Sequence, residues 1–183
     1  MTLKEYCLKL IDEIPHEVYV IALIIFCVGI ILTLFAKGLK KGLRWSVALL
    51  LLEYVFLVFG STVFFRQART AREFNFSPFW SYDAIYSGKE PELFSENIMN
   101  VVVFIPVGLL FGSQIKPGRK GWLIAFLLGV GISILIEVSQ LVLKRGFSEL
   151  DDVMHNTLGC MIGYGIYRLI YMCVNSKTKR IYG

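Results

Sequence analysis

Residues 144–165 read KRGFSELDDVMHNTLGCMIGYG, setting Glu149, Asp151, Asp152, His155 and Asn156 against a stretch apolar enough to lie in a bilayer. Glu137 and Gln140 stand a few residues earlier, within another apolar run. An ionisable side chain in hydrocarbon costs at least about 2.5 kcal/mol, so Glu137 and the other acid inside an apolar run, Glu53, each need a reason. Carboxylates and amides gathered at one depth can exchange hydrogen bonds with a polar head group, hold a hard cation, or move a proton. Upstream, RQARTAREFNFSPFW carries Arg66, Arg69 and Arg72 at every third position. Arginine is the side chain best suited to gripping a carboxylate or phosphate through paired hydrogen bonds.

The elements that must position these groups follow from composition. A chain of 183 residues that is 56% hydrophobic and 18% charged, with mean hydropathy +0.63, is an integral membrane protein. Five runs, 18–36, 45–65, 98–115, 121–143 and 153–174, are long enough to cross about 30 Å of hydrocarbon at 1.5 Å per residue. They are apolar on all sides instead of alternating, which predicts helices and excludes a membrane barrel. The first run lacks a basic front and an A-x-A-like cleavage site, and is read as a retained span. Ahead of it, Leu3, Tyr6, Cys7, Leu10, Ile11 and Ile14 recur at helical spacing with Lys4, Glu5, Lys9, Asp12 and Glu13 opposite. That pattern predicts an amphipathic helix on the membrane surface, as an anchor or a lid. The expected architecture is therefore an all-α, polytopic, single membrane domain over 1–183. It has about five transmembrane helices and a long outer loop between the second and third.

Basic residues orient it. Segments 37–44, 116–120 and 175–183 hold ten Lys and Arg and no acid, which assigns them to the cytoplasm. Segments 1–17, 66–97 and 144–152 hold eight basic and twelve acidic residues and fall outside, with the amino terminus. The net charge of +5 is thus a topology signal, and its scatter over three short loops excludes a nucleic-acid face. Cys7, Cys27, Cys160 and Cys173 have neither zinc-ligand nor redox spacing and read as small apolar fillers. Trp45, Trp80, Tyr82, Trp122, Tyr167 and Tyr171 read as interface anchors, and Arg168 as a snorkelling side chain. The sequence fixes no oligomeric state.

The short link between the last two spans makes them antiparallel neighbours. Folding it about Ser148 levels Lys144 with Asp152, Gln140 with Asn156 and Glu137 with Gly159. Glu137, Gln140 and Lys144 then form one stripe, facing Asp152, Asn156, Gly159 and Gly163. Gly159 and Gly163 match Gly129 and Ser133 as a small-residue notch. The third span adds Asn97 and Asn100 at its outer end and a kink at Pro106. Arg72, Asn75, Asn100, Glu137, Gln140, Asp152 and Asn156 are expected to meet in the outer third of the bilayer, with Arg69 assisting.

In order and spacing, residues 69–168 resemble the VanZ-like family. The resemblance is carried by R-x-x-N-x-x-P-F (Arg72, Asn75, Pro78, Phe79), N-x-x-x-F-x-P-x-G (Asn100, Phe104, Pro106, Gly108), E-x-x-Q (Glu137, Gln140) and D-D-x-x-x-N-x-x-G (Asp151, Asp152, Asn156, Gly159). Glu149 stands where an aspartate is expected and His155 where an aliphatic residue is usual. The resemblance implies a multi-pass protein of the bacterial cytoplasmic membrane, associated in some members with reduced sensitivity to teicoplanin-like glycopeptides that carry a fatty chain. It implies no known reaction.

Three functions stay open on the residues alone. The polar groups could bind an anionic lipid head group, a lipid-linked wall precursor or a lipidated glycopeptide, with Arg72 and Arg69 on phosphate and the amides on hydroxyl or amide groups. They could form an enzyme on lipid phosphate or glycosyl groups, with Glu137 as general acid or base and Asp151 and Asp152 around Mg or Ca, no other cofactor being implied. Or they could satisfy one another across a helix bundle, with Asp152 capping the last helix. His155 is expected to be a solvated or capped side chain.

Overall fold

The computed structural model describes residues 3–182, and the side chains among them except those of Leu3, Tyr6, Leu10 and 177–182. Part of the apolar stripe expected on the first helix, and the basic residues Lys177, Lys179 and Arg180, therefore lie outside the described side chains. The order is α1 (Leu3–Asp12), α2 (His16–Phe59), a π-helical turn (Gly60–Phe64), β1 (Glu73–Asn75), α3 (Trp80–Tyr86), α4 (Leu93–Gly112), α5 (Arg119–Leu143), β2 (Phe147–Glu149) and α6 (Leu150–Tyr182). The chain is an all-α membrane protein in which, among the described residues, four helical elements are long and apolar enough to cross a bilayer.

The longest of these elements folds back on itself. Gly38, at φ 70° and ψ 172°, interrupts α2. Thr33 Oγ1 lies 2.9 Å from Ser46 Oγ. In a straight helix residues thirteen apart would be about 20 Å apart, so 16–37 and 39–59 are the two arms of a hairpin. Gly42 sits where a Cβ would press on the Leu34 backbone, which holds the arms together near the tip. Arg44 then donates to the Gln114 carbonyl at 2.6 Å, tying the tip to the end of α4.

Helices α4 and α6 pack most closely, because glycines on both remove the side chains between them. A Cβ on Gly108 would overlap the Cys160 carbonyl, one on Gly159 the Val101 carbonyl, and one on Gly163 the Ile105 carbonyl. The Gly159–Gly163 notch thus faces α4, whereas the sequence had paired it with Gly129 and Ser133 on α5. Gly129 instead receives Thr157 and Cys160 of α6. Below the site, Val58, Val63, Phe104, Val107, Ala125, Ile136, Cys160 and Tyr164 form the core. Tyr164 is fully buried; its hydroxyl bonds the Gly118 backbone at 3.1 Å, and Trp122 meets its ring edge-on. Pro106 loosens α4, and the Tyr54 hydroxyl donates to the Val103 carbonyl one turn earlier, at 2.9 Å.

The segment expected as a long outer loop is folded. β1 pairs in parallel with β2, with Glu73 opposite Phe147, Phe74 opposite Ser148 and Asn75 opposite Glu149. The Arg69 N–H donates to the Lys144 carbonyl at 2.7 Å, Lys144 Nζ reaches the Thr70 carbonyl at 3.4 Å, and Arg145 donates to the Phe64 carbonyl. The segment is thereby clamped over the C-terminal end of α5 and the N-terminal end of α6.

Candidate functional site

The acids of α5 and α6 meet through a register set by β2. Lys144, in a left-handed conformation at φ 55°, ends α5. The chain then runs back along β2, and three residues of strand at about 3.3 Å each cover about 10 Å, or about seven residues of helix. The Glu149 N–H consequently donates to Glu137 Oε2 at 2.8 Å. Asn156 Nδ2 donates to Ser133 Oγ at 2.8 Å. A symmetrical turn about Ser148 would have put Gln140 there; the strand moves α6 deeper by two helical turns.

A polar cavity of about 150 Å³ results. Glu137, Gln140, Asn156, Asp152, Asn100, Glu96 and Glu149 line it from α5, α6, α4 and β2, with Ser61 and Thr62 of the π-helical turn opposite. Arg66, Arg69 and Lys9 complete its wall. Those three cations, with Glu13, Gln67 and Gly146, also line a second space of about 260 Å³. The smaller space is an inner chamber and the larger one a vestibule sharing its basic neck.

Hydrogen bonds within the chamber engage one N–H of each of its amides. Asn100 Nδ2 donates to Asp152 Oδ1 at 2.6 Å. Trp80 Nε1 donates to Glu149 Oε2 at 3.0 Å. Gln140 Nε2 donates to the Thr62 carbonyl at 3.1 Å. Gln140 is 4% exposed, and its Oε1 has no hydrogen-bond partner. Since a carbonyl can only accept, the Thr62 bond fixes which end of this amide is nitrogen. Glu149, in the strand between two spans, has its carboxyl pushed up to about 9 by burial first and the neighbouring Asp152 charge second. Burial thus favours its protonated form.

Arg66 is half-buried and has no hydrogen bond or ion pair to any described residue. Arg69 pairs with Glu73. The Arg66 guanidinium stands at the neck of the chamber, beyond ion-pair distance but within electrostatic reach of Glu96, Glu137 and Asp152.

The sequence profile of the VanZ/LLP1 family matches residues 45–171. The chain belongs to this family. It is 34% identical over 84 residues to Protein VanZ of Enterococcus faecium, an alignment covering 46% of this chain and 51% of that protein. The matched part thus spans about half the length of that curated relative. No solved structure matches.

The residues singled out in the sequence divide by place. Glu137, Gln140, Asn100, Asp152, Asn156 and Arg69 line the chamber. Arg72 and Asn75 do not line it; Arg72 is exposed, and Asn75 Oδ1 accepts the Ser77 N–H at 3.0 Å, an Asx turn. That turn delivers Phe79, left-handed at φ 64°, so that its N–H donates to Asp151 Oδ1 at 2.7 Å. The Ser81 N–H and hydroxyl donate to Asp151 Oδ2 at 3.0 and 2.7 Å, and Asn97 Nδ2 reaches the same hydroxyl at 3.1 Å. Asp151, 1% exposed, is thus turned to the outer segment and Asp152 to the chamber. Neighbouring helical side chains diverge by about 100°, so the two acids do not converge on one cation. Among the described residues no group of three His, Cys, Asp or Glu is arranged to hold a metal.

Two expectations about single residues are corrected. His155 is buried, its Nε2 sharing a hydrogen bond of 2.8 Å with the hydroxyl of the exposed Tyr82, so the histidine is not a solvated side chain. Trp80 serves as a donor to Glu149, packed edge-on against Phe147. The sequence reading left Arg66, Glu96, Glu149, Lys9, Ser61 and Thr62 out of the binding set. One signal was available for Ser61 and Thr62: small polar residues after Gly60 at the outer end of a span suit the widened turn often found at functional sites.

Proposed function

We propose that the vestibule and chamber bind the polar head of an amphiphile from the outer leaflet of a bacterial membrane. The candidates are a phospholipid, a lipid-linked wall precursor or a lipidated glycopeptide. The observation that carries this is the basic neck of a buried polar cavity, where Arg66, with no close ion pair among the described residues, is joined by Arg69 and Lys9. Such a cation suits phosphate, and burial strengthens the bond. The helix faces around the site are apolar and exposed, as at Val138, Val142 and Phe94, which suits a ligand that arrives from the membrane. The amino terminus and the vestibule lie outside and the carboxyl terminus in the cytoplasm, a topology supported by the basic segments 37–44 and 116–120. Similarity to Protein VanZ supports a part in teicoplanin resistance.

The test is lipid analysis of the purified protein. One lipid class should be enriched over the host membrane, and Arg66→Ala should lose it while keeping the fold. Equal lipid content in both would overturn the reading. Expression in a susceptible host should raise teicoplanin tolerance, and Arg66→Ala should abolish the rise. One observation favours a second reading, a reaction on the bound head group: burial favours the protonated form of Glu149, the state a general acid needs. Turnover of the retained lipid, lost in Glu149→Gln, would establish it.

A further inference from the structure

The opposite end of the bundle carries charge that no acid answers. The sequence has no Asp or Glu between Glu17 and Glu53, nor between Glu96 and Glu137, and Lys37, Lys40, Lys41 and Arg44 of the hairpin tip form no ion pair with any described residue. Between the second arm of α2 and the end of α4 lies a space of about 350 Å³, lined by Lys41, Arg44, Trp45, Ala48 and Gln114. The first four of these recur at i, i+3, i+4 and i+7, one face of a helix, so polarity falls along that face from two cations through an indole to a methyl group. The face is held in place on both sides. Gly42 keeps the arm against the Leu34 backbone, the bond from Arg44 to the Gln114 carbonyl ties it to α4, and the Gln114 side chain is itself held by Ser113 Oγ at 2.9 Å. That bond leaves the rest of the Arg44 fork of N–H donors unused, and Lys41 makes no hydrogen bond to a described residue. Lys37 Nζ stands 3.8 Å over the Trp45 ring. Phe35 and Leu39 close by are exposed, as a surface in contact with lipid would be. Gly112, where α4 ends, is about 18 Å along the helix axis from Asn100 of the chamber, so the two spaces are separate.

We propose that this space is a second lipid site, which takes an anionic phospholipid: its phosphate between Lys41 and Arg44, its glycerol beside Trp45, and an acyl chain over Ala48. Basic pockets between membrane helices suit such head groups, and a guanidinium with an ammonium beside it suits a phosphodiester. A free phosphate would use the cations alone, whereas the indole and the methyl group beyond them match the rest of a lipid. A head group with its own ammonium would bring that charge up to Lys37 and Lys40, which selects an anionic lipid over a zwitterionic one. The site lies in the opposite leaflet from the vestibule and does not depend on what the chamber binds.

The experiment measures binding of short-chain phosphatidylglycerol, phosphatidylcholine and glycerol 3-phosphate to the purified full-length protein by native mass spectrometry. Phosphatidylglycerol should bind about 5-fold or more tighter than phosphatidylcholine, and Lys41→Ala should weaken it by about 5-fold. Lys40→Ala removes the same charge from the same segment but outside the space, and should leave binding unchanged. Both lysines are exposed, so neither substitution threatens the fold. Ala48→Phe keeps every charge while filling the space, and should weaken phosphatidylglycerol as Lys41→Ala does. Equal losses in Lys40→Ala and Lys41→Ala overturn the site in favour of a diffuse basic surface. Equal affinity for the two lipids overturns it as well. Glycerol 3-phosphate binding as tightly as phosphatidylglycerol overturns the lipid in favour of a free phosphate. Binding that is abolished by Arg66→Ala and untouched by Lys41→Ala puts the lipid at the neck of the chamber and overturns the second site.

Discussion

Replacing Glu149 by Gln isolates the electrostatic strain of the chamber. Folding raises this carboxyl from its ordinary 4.5 to about 9, so the folded protein prefers it protonated. Its contribution to stability is complete below pH 4.5, where both states are protonated. It is lost as pH rises, because the unfolded chain ionises first. Over that window each pH unit removes about 1.4 kcal/mol, so raising pH from 5.5 to 7.5 should cost the protein up to about 3 kcal/mol through this residue. The amide of Glu149→Gln can still accept the Trp80 N–H, so packing is kept while the titration is deleted. Thermal unfolding in detergent, followed by tryptophan fluorescence from pH 5 to 9, measures this. The wild type should lose stability steadily with rising pH, and Glu149→Gln should give a flatter profile and be the more stable of the two at pH 8. Parallel profiles, or a wild type that gains stability toward pH 8, would show that Glu149 is ionised in the fold and that the account of the chamber is wrong.

Gly163→Ala puts a methyl group into the Ile105 carbonyl, so α4 and α6 must separate; a loss of roughly 1–3 kcal/mol is expected in thermal unfolding, against little change for Gly131→Ala, where nothing lies within 4 Å. Asp151→Ala strands the Phe79 and Ser81 donors, so residues 76–83 should exchange amide hydrogens at least 10-fold faster, read by mass spectrometry. Tyr54→Phe removes the hydroxyl from the Val103 carbonyl and should cost about 1 kcal/mol, read from the unfolding midpoint.

Helix positions were legible because hydropathy reports them directly: the apolar runs at 98–115, 121–143 and 153–174 fall within α4, α5 and α6 apart from a few terminal residues. Glu137, Gln140, Asn100 and Asp152 could be grouped because each is polar inside or beside an apolar run, where polarity demands a partner. Register was not legible. Nothing in KRGFSE distinguishes a simple turn from a strand that re-enters the bundle, since β2 is fixed by its pairing with β1, seventy-four residues away between Glu73 and Phe147. The same distance hid the role of Asp151. Adjacent to Asp152 in sequence, it serves a different neighbour because the outer segment folds over it. Of the three regularly spaced arginines, Arg66 could be picked out only by seeing where the π-helical turn ends.

That remote pairing has a consequence for biosynthesis. β1 leaves the ribosome before α4 and α5, yet its partner strand follows them, and the wall supplied by Asp152 and Asn156 comes later still. Helix α5 can therefore reach the membrane before β2 has paired with β1, and Glu137 gains the Glu149 amide only when the hairpin of α5 and α6 closes. A chain truncated after α5 would carry half a chamber, its acid lacking that amide.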